Sequence, residues 1–451
     1  MAKNLQKKQK SHFAIVYVVV IGLLVILVGK LLFVDRAHVF LYGYGLLVTF
    51  VLTVTFAVVH KSYKDPYLVA KESGQKKSRT TVSILVAAFN EEGMIARCLD
   101  SLMRQSHTNK EVIVVNDCST DKTGEILDEY VKAHAGITVI HMEKNSGKKR
   151  ALAAGMLEAK GEYFAFTDSD SVLASDAIEK IALTMDHDKT IGGVSGHCRA
   201  LNGEKNLLTK TQDSWYEGQF SIRKAFESVY GAVTCVSGPL AVFRKDAIYN
   251  YIPAWQHDRF LGQEFKFATD RTLTGFVLGS ETIGAKLKEK YAGSPFLKED
   301  FPTKSWRIVY SKAARAWTAV PDNLRSFMKQ QIRWKKSFIR NMFFTGAFFW
   351  RKNAVVATNY YLHILFVLAG PFIAIRHLIW LPIVGNVMSA FLYLAGILTI
   401  GFAFGLAYKL EDRHCRKWKY RPLMSIISTV FLSPVIFYSM ATIRKMVWSR
   451  G

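Results

Sequence analysis

Two long apolar runs near the start of the chain, Phe13 to Val34 and Val39 to Val59, constrain the fold before any motif is considered. Each is close to the ~20 residues that carry a helix across a bilayer. Only "DRAH" separates them, so together they predict a tight transmembrane hairpin. The first run is too long for a secretory leader and lacks a small-residue cleavage site. The chain turns apolar again after Asn353, where Val355 to Ala374 predicts one span. Leu378 to Tyr408 would make a helix of about 46 Å at 1.5 Å per residue. That exceeds a bilayer core, so a bend is expected near Pro382 and Gly385. Leu423 to Ala441 predicts a further crossing or, with Pro434 inside it, a broken or re-entrant helix.

The net charge of +24 comes from 60 Lys and Arg against 36 Asp and Glu. The basic clusters "KNLQKKQK", "KESGQKKSR", "KQQIRWKKSFIR" and "KLEDRHCRKWKYR" lie beside the apolar runs. Such flanks follow the positive-inside pattern and suit anionic headgroups. The expectation is a multi-pass plasma-membrane protein with a cytoplasmic central domain, partnered by the lipid bilayer and not by nucleic acid. Five cysteines without a CxxC pair fit reduced thiols rather than disulfides or a zinc site.

Between the apolar ends, strand and helix patterns alternate. "TVSILVAAF" reads as a buried strand, and "NEEGMIARCLDSLMRQS" carries Ile95, Leu99 and Leu102 at helical spacing. "KEVIVVND", "TGEILDEYVKAH", "ITVIHM", "GKKRALAAGMLEAK" and "EYFAFTDSDS" repeat the alternation, which predicts a mostly parallel, doubly wound α/β sheet. Ligands bind such sheets beyond the carboxyl ends of the strands. Polar groups gather there: Ala88 to Glu91 after the first strand, Asn116 and Asp117 after the second, and Thr167 to Asp170 after the fourth. Each alone could be an ordinary helix cap; three in succession on one edge point to a site.

Three stretches carry chemistry. "TDSDS" places Asp168 and Asp170 at i and i+2, a pair of hard oxygen ligands that suits Mg²⁺ or Mn²⁺. A cation there would neutralise a diphosphate leaving group. "NSGKKR" sets Lys148 and its neighbours at a helix start, where phosphate is welcome. In "KQQIRWKKSF", Gln330, Arg333 and Trp334 fall at i, i+3 and i+4 on one helical face. Arg can fork to phosphate oxygens, and an indole can stack on a sugar or base. The same stretch also suits an interfacial helix with Trp at headgroup depth.

The DxD, a later acid beside an arginine, and Q-x-x-R-W between membrane segments resemble the processive family-2 inverting glycosyltransferases, which build cellulose, chitin and hyaluronan from nucleotide sugars. "CVSGPLAVFRKDAI", "FLGQEFKFATDRTLTG" and "VPDNLRSFMKQQIRWKKSFIRN" look most like hyaluronan synthases, with chitin-oligosaccharide synthases next. The resemblance covers roughly Thr81 to Asn341. It implies an α/β GT-A-like domain inserted between transmembrane helices. It also implies an inverting hexosyltransferase that takes UDP-sugar donors and exports a growing polysaccharide.

Carried over by position, the resemblance implies that Ala88, Glu91 and Asp117 hold the uridine and Lys148 approaches the diphosphate. Asp168 and Asp170 would face donor and metal, with Gln330 and Arg333 closing over the donor. Gly238, Pro239, Leu240 and Trp334 would meet the acceptor. Asp270 would be the general base, followed by Arg271. Thr269 stands where relatives carry a second acid, which removes a neighbouring negative charge. No Ser-His-Asp or Cys-His pairing asks for an enzyme nucleophile. A homopolymer synthase using UDP-N-acetylglucosamine alone, or an inactive export channel or scaffold, are the competing readings.

The resulting division is an N-terminal transmembrane hairpin over 1–60, a linker over 61–80 and a catalytic domain over 81–322. Interfacial helices over 323–352 and a C-terminal membrane region over 353–451 follow. Within the catalytic domain, 286–304 looks inserted and reads as a charged, Pro-containing surface loop.

Overall fold

The computed structural model describes residues 39–411 and 416–445, with Ile21, Leu24 and Val28 from the first apolar run. The rest of that run, the "DRAH" turn of the expected hairpin, Cys415 and the last six residues lie outside the described residues.

An eight-stranded sheet organises the centre: β1 (Val82–Ala88), β2 (Lys110–Asn116), β3 (Ile137–His141), β4 (Tyr163–Asp168), β5 (Ser171–Leu173), β6 (Ile191–Ala200), β7 (Ala241–Arg244) and β10 (Arg307–Thr318), with a separate small hairpin, β8 (Arg259–Phe260) and β9 (Gln263–Glu264). Its order is β3-β2-β1-β4-β7-β6-β10-β5. The first four strands are mutually parallel, as the strand–helix alternation predicts. β7 then runs antiparallel to both β4 and β6, so the doubly wound pattern stops at the middle of the sheet.

Both faces of the parallel half are covered, which explains its continuous apolar strands. The period of two splits them: Leu85, Ile113 and Phe164 join one core, while Ile84, Val86, Val112 and Val114 join the other. In α1 (Ile95–Met103), Ile95, Cys98, Leu99 and Leu102 form the stripe that packs on the second core. α2 (Lys148–Glu158) lies on the first face, where a Cβ on Gly155 would meet Leu85 Cδ2 at 3.0 Å.

The segment read as an inserted surface loop is better anchored than expected. Its first residues, to Lys290, finish the long helix α4 (Thr269–Lys290). Phe296 is buried beside Tyr249, and Asn250 donates to the carbonyls of Phe296 and Glu299. The charged pattern that suggested solvent belongs to the outer side of a packed strap.

Among the described residues, three helical stretches are long and apolar enough to cross a membrane: Gly43–Glu72, Ala354–Ile383 and Met388–Lys409. Lys417–Leu432 and Val435–Ala441 form a fourth only if their 43° bend is one broken span, a break that Pro434 explains. The long C-terminal stretch breaks at Gly385, which adopts φ +92°. The preceding helix continues through 376–383 instead of ending at Ala374, because π-helical turns absorb the sequence there.

These helices are fastened to the sheet domain by polar contacts. Arg199 on β6 donates to Asp213 of α3 (Leu207–Gly218) over 2.8 and 2.7 Å and to the Tyr408 hydroxyl. Lys417 reaches Asp213 at 2.9 Å. Asp65 accepts from the Ser311 hydroxyl and the Ala313 amide on β10.

Candidate active site

β4 ends at Asp168, at the carboxyl edge of the parallel strands. Asp168 forms an ion pair with Lys148, the first residue of α2. Gly147 before it takes φ +85°, a conformation that favours glycine, and lets the loop turn sharply into the helix. Burial works against the Lys148 charge, but Asp168 prevails and holds the ammonium above its ordinary pKa. Asp170 accepts from the Thr318 hydroxyl at 3.1 Å. Burial first, and then the neighbouring Asp168, push its pKa up to about 6.

The "SGPL" stretch forms a short 3₁₀ turn, Gly238–Leu240, directly above this edge. The Thr167 hydroxyl donates to the Pro239 carbonyl at 2.9 Å, tying the turn to β4. Gly238 has no room for a side chain: a Cβ would stand 2.9 Å from Asp168 Oδ2. On its other side, the Gly238 amide donates to Asp270 Oδ2 at 3.2 Å. One glycine therefore separates the metal-type acids from the expected base.

Asp270 lies in the first turn of α4, after Ala268 in the left-handed region at φ 61°. Such a conformation is costly for a residue with a Cβ and persists where the surroundings enforce it. The Trp255 indole donates to the Thr269 carbonyl at 2.7 Å, fixing this turn. Asp270 also accepts from the Arg271 amide at 2.9 Å and the Cys235 thiol at 3.6 Å. Arg271 thus supports Asp270 through its backbone.

α5 (Leu324–Phe344) brings in the Q-x-x-R-W residues. Trp334 packs against Trp215 and Tyr216, with centroids 5.7 and 6.2 Å away, forming an aromatic wall. Burial lowers the pKa of Arg333, and Asp168 and Asp170 oppose that shift. Lower on α5, Arg340 and, from α2, Lys149 both grip the buried Asp258. This triad links the Lys148 helix to the Arg333 helix.

Most of these groups enclose a cavity of about 490 Å³, within the usual range for a ligand site. Lys148, Asp168, Asp170, Gly238, Pro239, Thr269, Asp270, Arg271, Gln330, Arg333 and Trp334 line it. Leu240 does not; it is buried, and a Cβ on Gly196 would collide with its side chain. Ala88, Glu91 and Asp117 also stand apart from the cavity walls, at the ends of β1 and β2. Asp117 spends both oxygens on the amides of Ser146 and Gly147, at 2.7 and 2.8 Å, so it shapes the Lys148 loop.

Lys224 is a cavity residue that sequence reasoning missed. It is buried, donates to the hydroxyls of Ser195 and Ser237, and sits over the Phe220 ring. Burial lowers its pKa against the pull of Cys235 and Asp270. It emerges from a π-helical turn, Gln219–Lys224, that displaces the side chains from ordinary helical spacing. No periodic signal in "SIRKAFESV" marks it.

A divalent cation fits this edge. Asp168 and Asp170 are close enough to repel, and repulsion between half-buried carboxylates is what a cation relieves. Among the described residues no group of three or more His, Cys, Asp or Glu is placed to hold a metal. Two carboxylates completed by phosphate oxygens and water match the habit of Mg²⁺.

Residues 83–252 match the family described as Glycosyl transferase family 2. Over 447 residues the chain is 24% identical to hyaluronan synthase of Streptococcus pyogenes, across 98% of this chain and 97% of that one. It is 30% identical over 264 residues to an N-acetylglucosaminyltransferase of Azorhizobium caulinodans, across 58% of this chain and 60% of the relative. Among solved structures, mannosyltransferase PcManGT from Pyrobaculum calidifontis, in complex with GDP-Man and Mn²⁺, aligns with TM-score 0.49 and 17% identity, across 87% and 98% of the two chains. The chain is a glycosyltransferase whose residues 83–252 match family 2 and which is similar along nearly its whole length to hyaluronan synthases.

Proposed function

We propose that the protein is a membrane-embedded processive polysaccharide synthase that transfers sugars from UDP-N-acetylglucosamine and UDP-glucuronate, with inversion, and exports the polymer. The observation that carries this reading is the shared wall at Gly238. It sets the acid pair Asp168 and Asp170 on one side and Asp270 on the other, within one cavity.

The residues divide the work as follows. Lys148 and Arg333 offer positive charge to the donor diphosphate, and Gln330 lies on the Arg333 side of α5. Mg²⁺ or Mn²⁺ bound by Asp168 and Asp170 would supply Lewis-acid neutralisation of the leaving UDP. Trp334, with Trp215 and Tyr216 behind it, presents a flat apolar face to the acceptor sugar. Asp270 takes the proton from the acceptor hydroxyl as that oxygen attacks the anomeric carbon. One displacement inverts the centre and needs no covalent intermediate. Ala88, Glu91 and Asp117 would shape the uridine end from the neighbouring strand ends.

The apolar helices favour a multi-pass membrane location. Phe372, Ile379, Phe391, Leu392 and Phe402 are exposed on them, as lipid contact requires. A basic catalytic domain against such helices fits the cytoplasmic side of a plasma membrane. The similarity to an N-acetylglucosaminyltransferase favours a second reading, a homopolymer synthase using UDP-N-acetylglucosamine alone.

Asp270→Asn tests the reading. The variant should lose sugar incorporation by about 10²–10⁴-fold while still binding UDP-sugar. Unchanged incorporation would exclude Asp270 as the base, and a scaffold would show no turnover in either form.

A further inference from the structure

The cavity is electrically lopsided. Lys148, Arg223, Lys224, Arg271, Arg333 and Lys335 line it against only Asp168, Asp170, Glu227 and Asp270. At the strand edge, Lys148 and Arg333 face Asp168 and Asp170, and Lys224 lies near Asp270. The opposite end is different. There Arg223 shares Glu227 with Thr234, and its Nη1 lies 2.8 Å from His363 Nε2. Among the described residues, neither Arg271 nor Lys335 has a carboxylate within ion-pair distance. Burial lowers the Lys335 pKa to about 8, the behaviour of a cation without a counter-ion.

Lys335 is not on the Q-x-x-R-W face. Gln331, Lys335 and Phe338, at i, i+4 and i+7, form the adjacent face of α5, and all three line the cavity. Behind them a small recess of about 10 Å³ shares Arg223, Thr234, Arg271 and Phe338 with the main cavity. Its remaining walls include Asn341 and Thr345, which are 3% and 2% exposed. Asn341 Oδ1 and Thr345 Oγ1 have no hydrogen-bond partner among the described residues. Buried orphans of this kind ask for a ligand or water.

We propose that the end of the cavity walled by Arg223, Arg271 and Lys335 is an anion subsite for the carboxylate of a uronic-acid sugar in the growing chain. Arg271 and Lys335 lack a carboxylate and Arg223 has only the Glu227 it shares with Thr234, so a sugar carboxylate matches this end, and the orphan acceptor and hydroxyl of the recess match a water bridging to it. The proposal rests on the polysaccharide-synthase reading and specifies the charge of its acceptor. A neutral homopolymer would leave Arg271 and Lys335 without an anionic partner.

The test uses the full-length protein in lipid nanodiscs and two fluorescent tetrasaccharides, one carrying uronate carboxylates and one with the same groups reduced to alcohols. Without donor, anisotropy should show wild type binding the acidic probe about tenfold or more tightly than the reduced one. Arg223→Gln combined with Lys335→Gln should abolish that preference without weakening the reduced probe. UDP-N-acetylglucosamine hydrolysis by the same samples reports an intact donor site. Equal binding of both probes by wild type, or a preference that survives in the double variant, would overturn the subsite. Donor turnover that persists under that result would leave glycosyltransfer standing. No turnover with any UDP-sugar would remove both readings.

Discussion

The amide of Gly238 donates to Asp270 Oδ2 over 3.2 Å, while Asp168 Oδ2 leaves the same residue no room for a Cβ. The proposed base and Asp168 are thus registered through a single backbone position. Gly238→Ala should push the Asp168 carboxylate or the 3₁₀ turn away and spoil that register. Displacements of this size cost about a hundredfold in rate. The loss should appear in kcat, measured as UDP release, with the global unfolding midpoint little changed. Retained activity would show that the two acids do not act in one reaction.

The pH behaviour of Asp170 gives a second prediction. Its folded pKa is raised from 3.8 to about 6 by burial and by Asp168. Between those values the folded chain holds a proton that the unfolded chain has released. This carboxyl's contribution to stability therefore falls as pH rises through the window. A divalent cation binds the ionised pair and reverses the loss. Mn²⁺ should raise the thermal midpoint clearly at pH 7 and little at pH 5, and chelation should undo it. Asp170→Asn should remove most of that response; an unaltered response would place the metal elsewhere.

Asp258 supports the site from behind. Both of its oxygens are used, by Lys149 from α2 and Arg340 from α5, and all three side chains are buried. Asp258→Asn removes the only negative charge in the triad and leaves two buried cations facing each other. Breaking a buried pair in this way costs about 3–5 kcal/mol. The expected result is a lower unfolding midpoint, together with weaker donor binding as Lys148 and Arg333 lose their common anchor. An Asp258→Asn, Arg340→Met double variant should recover part of the stability, because one uncompensated charge has gone.

Much of this site was legible because its groups sit at punctuation points of a regular pattern. A strand of period two that ends in "TDSDS" can point its acids only at the carboxyl edge. The 3.6-residue period likewise placed Gln330, Arg333 and Trp334 on one face. What stayed hidden depends on irregular backbone or tertiary approach. Lys224 reaches the cavity from a π-helical turn, and Leu240 is withdrawn into the core beneath Gly196. Asp117 also holds two loop amides, a contact that its position after a strand does not announce. The antiparallel β7 breaks the doubly wound order because its strand follows the SGPL turn across the sheet instead of a crossover helix. The strap over 286–304 has loop composition on its exposed side and a buried Phe296 on the other.

The most direct measurement is sugar incorporation by the purified full-length protein with Mg²⁺ or Mn²⁺, using labelled UDP-N-acetylglucosamine with and without UDP-glucuronate. The account predicts a polymer only when both donors are present, and one that hyaluronidase degrades. A polymer made from UDP-N-acetylglucosamine alone would contradict it and point to a homopolymer synthase.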